Sequence, residues 1–464
     1  MNTTLSRHLA GAIVLLSFAV TAHSANYYID GANPSAANSN PGTQAAPWKT
    51  LYAIDRRAFA PGDIINVANG TYSVTTGGSW EAPAINIGSS GTQASPIVIR
   101  AINRHGAILD AGRGNAPLGS RDRDWITISG FVIRNTGPKG IAVFGTSSSN
   151  RVTGVVVEDC KISDVYLTTA NPAGDNAEGI RVQYADRVVL RNNDISQVNN
   201  RATNTHNASG TKSYWASNLI VENNYIHDIS GAAIYDKGGG VNNTYRYNLL
   251  ARTWDSFYMS AFADVPPRGI RFHNNIVRDV GNLPALQEIA YDSYVYSNTF
   301  VNYSFGGILP SWVSTSSAQI YNNIFVRRQA FSDGRMADIF TGDATPTELT
   351  KVNYNVYPAS SAAKFVVNYN GDKRIFSLAS WRSTYGFDAS SVAADATFVD
   401  LAGGNLKLPS GSALKGMARV NGVASGGSID PGAYSTGSEV IGIRSGSSTS
   451  TPTVPQAPVL TGVE

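Results

Sequence analysis

One short pattern returns along most of this chain and limits what it can fold into: alternating apolar residues, then Asn, any residue, and another apolar one. It appears as Leu190-Arg191-Asn192-Asn193-Asp194-Ile195 and Val221-Glu222-Asn223-Asn224-Tyr225-Ile226. It returns at Asn248, Asn275, Asn298, Asn323 and Asn355, while Phe131 and Cys160 occupy the same frame upstream. Successive spacings are 29, 33, 31, 24, 27, 23, 25 and 32 residues. The position three residues before each marker is always apolar: Ile128, Val157, Leu190, Val221, Tyr245, Phe272, Val295, Ile320 and Val352. A period of this size, with strand-like alternation, is the signature of a solenoid built from short strands and turns. An inward Asn at each turn can hydrogen-bond the next coil, so the seven Asn from Asn193 to Asn355 read as scaffold. Cys160, in the same column, reads as structural rather than catalytic.

Composition agrees. A length of 464 residues would ordinarily suggest about three domains, but repeats grow by adding coils. Only 15% of residues are charged and there are 45 glycines, which suits short strands joined by many turns. A net charge of +3 is too small to indicate a nucleic-acid partner. The start reads as a secretory signal over residues 1–24. Arg7 and His8 precede an apolar run from Leu9 to Val20, followed by Ala22-His23-Ser24. No later stretch has the length of a membrane span, so a secreted or periplasmic monomer with no membrane partner is expected. The single cysteine excludes an intrachain disulfide.

Each coil carries a second strand, often opened by Gly: Gly140-Ile141-Ala142-Val143, Gly179-Ile180-Arg181-Val182 and Ala233-Ile234-Tyr235-Asp236-Lys237. Alternation sends Ile180 and Ile234 inward, and Arg181, Gln183, Tyr235 and Lys237 outward. Tyr258 and Ser260 fall in the same two outward columns. Trp48–Phe59 has helical spacing and suits an N-terminal capping helix. Phe398–Leu408 and Ile429–Tyr434 read as closing strands of a domain spanning 25–437, and 438–464 reads as a disordered tail.

The opening Tyr27-Tyr28-Ile29-Asp30-Gly31, Pro41-Gly42-Thr43, Pro47-Trp48-Lys49-Thr50-Leu51, Pro61-Gly62-Asp63 and Asn69-Gly70-Thr71-Tyr72 resembles secreted pectate-lyase-like proteins. The closing Asp430-Pro431-Gly432-Ala433 is similar to their terminal motif. The resemblance implies an all-β, right-handed parallel β-helix over residues 27–436. It speaks less to the reaction, because the fold hosts lyases, hydrolases, epimerases and adhesins. The Asp-Asp, Gly-His-Gly and Arg-Ile-Lys motifs of its hydrolases are absent, as are the Asp-Pro-His-Asp of its epimerases and the Trp-Ile-Asp-His of many pectate lyases.

Residues 227–240 stand out, because Tyr235 and Lys237 share a face beside Gly238-Gly239-Gly240. Nearby coils add Arg181, Gln183, Tyr184 and Tyr258. Asn199–Trp215, with Arg201, His206, Lys212, Tyr214 and Trp215, reads as a polar insertion walling this face. Elimination from a uronide needs the carboxylate neutralised, a base for the C5 proton and an acid for the leaving oxygen. The resemblance to alginate and chondroitin-B lyases implies Lys with Arg or Tyr in those roles. Lys237, Tyr235, Tyr258 and His206 are the catalytic candidates, and Arg181, Gln183, Tyr184, Lys212 and Trp215 the substrate-binding ones. Each also has an ordinary reading as a solvated lysine, an aromatic ladder, a loop histidine or an arginine paired with Glu178 or Asp236. Asp175, Asn176 and Glu178 offer oxygen ligands for Ca²⁺, and Trp125, Trp215, Trp254 and Trp312 offer faces for sugars. The reading is a lyase acting on an acidic, alginate-like polysaccharide; a hydrolase, an epimerase or a non-catalytic polysaccharide-binding protein are the alternatives.

Overall fold

The computed structural model describes residues 24–79, 81–166, 176–200, 207–281, 283–289, 292–303, 305–310, 317–327, 337–341, 349–359, 364–367 and 374–443. The signal segment, His206, Asp175 and Trp312 fall outside them. Each coil places one strand in a sheet running from Asn26–Ile29 to Leu349–Asn353, twelve strands in chain order. All but two of the remaining strands among the described residues form a second sheet on the other sides of the solenoid. Pairing between successive coils is parallel throughout, as at Leu190↔Val221 and Val221↔Tyr245.

The turn between the two sheets explains the repeat. The residue before each marker adopts the left-handed conformation: Asp159, Asn192, Asn223, Tyr247, Asn274, Ser297, Asn322 and Tyr354 have φ of 52–60°, and Gly130 has 82°. That sharp bend turns the next residue into the interior, where it needs a partner. Asn and Asp tolerate the bend best among non-glycine residues; Tyr247 and Tyr354 are held in it by their coils. All seven marker Asn are buried. Asn275 shows the bonding. Its Nδ2 donates to Tyr245 O and to Asn298 Oδ1, and its Oδ1 accepts from Asn248 N and Asn248 Nδ2. The same pattern links Asn193 to Asn355 without a break, and Cys160 N feeds into it through Asn193 Oδ1. Burial pushes the Cys160 thiol up to about 12, which leaves it a filler rather than a nucleophile.

Inside this frame, Leu190, Val221, Tyr245, Phe272, Val295, Ile320 and Val352 stack in the core. Further along, Phe300, Phe325 and Tyr357 stack at 5.0 and 5.2 Å. The last coil is closed by an element with no counterpart in the sequence reading, the α-helix Leu378–Tyr385. Ser377 and Ser380 form its capping box, and Gly386 ends it in the left-handed conformation. Trp381 stacks on Phe365 at 4.9 Å and donates from Nε1 to Asp388. Asp388 and Ser391 also take the bonds of Asn355, terminating the Asn column.

Several expectations are corrected. Over Trp48–Phe59 only a single 3₁₀ turn forms, Leu51–Ile54. Thr50 makes no side-chain cap and Arg56 bends into the left-handed region, so helical spacing of Leu51, Ile54 and Phe59 seals the first coil without a helix. Phe398–Leu408 and Ile429–Tyr434 add no strands to the solenoid; Ser428–Ile429 pairs only with Ala418–Arg419. The chain instead runs back along the outside, with Leu406 and Ala433 packed on Ile276 and Val301. The outward amides of the left-handed turn residues hold it: Asn322 Nδ2 donates to Arg419 O, Asn274 Nδ2 to Ala433 O and Asn223 Nδ2 to Val440 O. Residues 438–443, expected in the tail, belong to this strap, and Gly442 N donates to Tyr247 O.

Replacing Asn275 by Ala strips the acceptor from two buried donors on Asn248 and the donor from Tyr245 O. The expected loss is about 2–4 kcal/mol, read as a fall in the thermal or urea midpoint followed by circular dichroism.

Candidate active site

A column of small residues sets the floor. Gly140, Gly179, Gly210 and Ala233 stack in successive coils. A Cβ on Gly140, Gly179 or Gly210 would lie 2.5–2.6 Å from the carbonyl oxygen of the next coil. This close approach aligns Lys139–Phe144, Ala177–Asp186, Ala208–Ser217, Tyr225–Lys237 and Leu249–Ser260 in parallel register. Ile141, Ile180, Thr211, Ile234 and Phe257 point inward. The outward side carries two columns: Arg181–Lys212–Tyr235–Tyr258–Gln287, and Gln183–Tyr214–Lys237–Ser260.

Ala208–Ser217 is therefore a strand of the sheet, not part of a wall over it. Lys212 lies directly between Arg181 and Tyr235, and Tyr214 between Gln183 and Lys237. Gly238, Gly239 and Gly240 do not open room for a ligand either. Their Cβ positions are occupied by Phe262, by the indole of Trp215 and by the Asp236 carboxylate. Asp236 points into the core and accepts from Ser213, Asn243 and Tyr245. Burial raises its pKa.

The face is strongly cationic and well covered. Lys139, Arg181 and Lys212 are at most 5% exposed, and Glu178 is fully buried among them. Arg181 donates to Glu178 Oε1 and, at 2.7 Å, to Gln183 Oε1, while its guanidinium lies 3.9 Å from the centre of the Tyr214 ring. Glu178 Oε2 and Arg181 Nε have no hydrogen-bond partner among the described residues. Lys212 Nζ donates to Asn176 Oδ1 and Asn207 Oδ1 and sits 4.4 Å from the Tyr235 ring. Lys237, half-buried, lies 5.5 Å from Tyr235, 5.7 Å from Tyr214 and 5.4 Å from Phe262. Tyr235 OH is 2.8 Å from Ser260 Oγ, and its ring packs on Tyr258 at 4.7 Å.

Burial with neighbouring like charge favours neutral amines here. Lys139 is lowered to about 8, chiefly by burial. Lys212 is pushed well below the ordinary range by burial and the charges of Arg181, Lys237 and Lys139, against the pull of Glu178. Lys237 is lowered by burial and then by Arg181. Burial raises Tyr214 to about 12, so it stays a neutral phenol.

Of the candidates read from the sequence, Arg181, Gln183, Lys212, Tyr235, Lys237 and Tyr258 share this face. Tyr184 and Trp215 stack on each other at 5.1 Å along its margin. His206 lies outside the described residues. Trp125 packs against Gly154 and Arg187, on the other side of the Ala177–Asp186 strand end. Lys139 has no place in the sequence reading; Glu178 enters it only as a Ca²⁺ ligand or a partner of Arg181, and Tyr214 only as part of the wall. The Gly179 to Gly210 spacing of 31, equal to that from Asn193 to Asn224, is the signal that places Tyr214. Of the Ca²⁺ ligands read from the sequence, Asn176 Oδ1 accepts from Lys212 and Glu178 Oε1 from Arg181, and Lys139 and Lys237 complete a cationic surround that suits a further cation poorly. A separate depression of about 390 Å³ at the N-terminal edge, lined by Lys49, Asn69 and Tyr72 among others, has no such chemistry.

Two outcomes follow from Glu178 as the buried counter-charge. Glu178→Gln leaves Arg181 and the neighbouring lysines without their buried counter-charge and is expected to cost about 3–5 kcal/mol in urea unfolding. Lys139 titrates near 8 in the fold and near 10.5 unfolded, so between those values the unfolded chain binds more protons. Its contribution to stability therefore rises with pH across that window. In Lys139→Met that rise flattens, as urea midpoints measured on either side of the window will show.

With this geometry in hand, comparison with known proteins is informative about the fold. Residues 118–325 match the family model described as a right handed beta helix region. No curated protein sequence matches the chain. Among solved structures, a mannuronic acid specific polysaccharide lyase from human gut microbiota superposes with a TM-score of 0.50 at 13% identity. The match covers 73% of this chain and 76% of that one. A pectate lyase gives 0.49 at 15% identity, covering 89% and 96%. A lacto-N-biosidase from Eubacterium ramulus gives 0.44 at 14%, covering 74% and 67%. The fold implied by the opening and closing motifs is the fold observed: this chain folds as a right-handed parallel β-helix.

Proposed function

We propose that the protein is an exported polysaccharide lyase that cleaves an acidic, uronate-containing glycan by β-elimination. One observation carries the reading: Arg181, Lys212, Tyr235 and Tyr258 stand in register on one outward face, with Tyr214 and Lys237 beside them. A face with this much positive charge and one committed carboxylate suits an anionic polymer. It also suits elimination better than glycoside hydrolysis, which needs two working carboxyl groups flanking the bond. Here Glu178 is locked to Arg181. The structural likeness to a mannuronic acid specific lyase and a pectate lyase is in keeping with the reading.

In this mechanism Arg181 neutralises the uronate carboxylate, with hydrogen bonds from the neighbouring amines, which makes the C5 proton acidic. Lys237 is the only one of the four clustered cations that is more than marginally exposed, and as a neutral amine it takes that proton. The C4–O bond breaks, its electron pair leaves with the oxygen, and a C4–C5 double bond forms. Tyr258, half-buried, protonates the leaving oxygen; Tyr235, 4% exposed and bonded to Ser260, aligns it.

The decisive experiment is incubation with a panel of uronans, followed by ultraviolet absorbance of the unsaturated product. Lys237→Leu should lose at least about 100-fold in rate with its melting unchanged; full activity would remove Lys237 from the mechanism. Reducing ends without new absorbance would indicate a hydrolase, and binding without product an adhesin. Because Lys237 is lowered from 10.5, the wild-type rate should rise with pH and level off before that value.

A further inference from the structure

Beside Lys237 the chain makes a turn that the proposed chemistry does not use. Phe262 and Val265 exchange backbone hydrogen bonds, and Ala263 and Asp264 between them both have positive φ, of 49° and 60°. This two-residue turn of mirror-image type is rigid, and it holds both apolar side chains outward. Phe262 is 41% exposed and Val265 46%. No other phenylalanine or tryptophan among the described residues is exposed by more than a third.

The turn is seated with care. Gly238 makes room for it, since a Cβ there would lie 2.3 Å from Phe262 Cβ. Gly239 N donates to Val265 O at 3.0 Å. Both glycines have φ near 62°, a conformation that costs them little and other residues more. Phe262 stands perpendicular to Tyr214 at 5.4 Å and to Trp215 at 5.1 Å, which fixes the ring while much of it stays exposed. Lys237 Nζ lies 5.4 Å from the same ring.

We infer that the Phe262 turn is a pyranose-stacking subsite, which seats the sugar next to the one whose proton Lys237 removes. The inference rests on the reading of this face as a polysaccharide site. A fixed aromatic ring that stays 41% exposed offers an apolar surface for the C–H side of a sugar ring. A fixed, exposed aromatic beside a cationic groove gives an anionic polymer both contacts at once. The Tyr184–Trp215 pair cannot do the same, because each ring covers the other and Trp215 also closes on Gly239.

Affinity electrophoresis through gels containing alginate or polygalacturonate tests this with the full chain. Wild type should be retarded, Phe262→Trp should match it, and Phe262→Leu should lose about tenfold in affinity while melting like wild type. Leu preserves the packing on Tyr214 and Trp215, so a loss there reports the aromatic face rather than folding. Retardation of Phe262→Leu equal to wild type overturns the subsite and leaves the reading of the face standing. If neither uronan retards wild type, that reading fails and the subsite with it.

Discussion

Everything in this molecule depends on the bond that each interior Asn makes to the next coil. A parallel solenoid must bend at every coil, and each bend buries backbone groups that no ladder satisfies. A left-handed residue followed by an inward Asn solves both problems. The amide takes the orphaned N–H of the coil before and returns its own donors to the coils on either side. Because every Asn both gives and receives, no member is independent, and the register of one coil fixes that of its neighbours. The chain tolerates spacings from 23 to 33 residues for the same reason. Extra length is put into loops, while the corner itself never shifts.

That fixed corner is what makes the cationic face possible. Lys139, Arg181, Lys212 and Lys237 come from four different coils, and crowding like charges costs energy. Rigid register supplies the compensation, holding Glu178 among them and placing aromatic faces under the cations. Tyr214 receives Arg181, and Tyr235 receives Lys212. Burial and the neighbouring positive charge lower the pKa of each lysine, which eases that crowding.

Much of this was legible in the sequence, and the part that was not has physical causes. The Asn frame, the apolar positions three residues before it and the outward pairing of Tyr235 with Tyr258 follow from period and alternation alone. Lys212 was read as lying in an insertion, because Ala208–Ser217 holds polar residues at inward positions, Thr211 and Ser213. Those polar residues have partners from other coils, such as Asp236 for Ser213. A single strand's pattern cannot reveal such a partner. Alternation gives a side chain's direction relative to the core, but not what lies over it; so Arg181 points outward as expected and is 5% exposed. The C-terminal strap was missed for a related reason. Its docking partners are the outward Asn of the turns, Asn223, Asn274 and Asn322, and they look identical in sequence to turn residues that hold nothing.

Those outward amides show how one device serves two purposes. At each of these corners the left-handed residue is chosen for its backbone, and Asn is among the few that fit. Once chosen, its side chain must lie on the outer surface, at a spacing set by the coils. The strap takes the side-chain amides of Asn322, Asn274 and Asn223 at alternate corners, and at the corner between the last two it bonds backbone to backbone, Gly442 N to Tyr247 O. The strap therefore lies along the corner edge and leaves the Arg181–Lys237 face clear. Scaffold and site are separated by geometry: the corner that binds coils together also takes up the chain's own terminus, and the flat side between corners carries the charge.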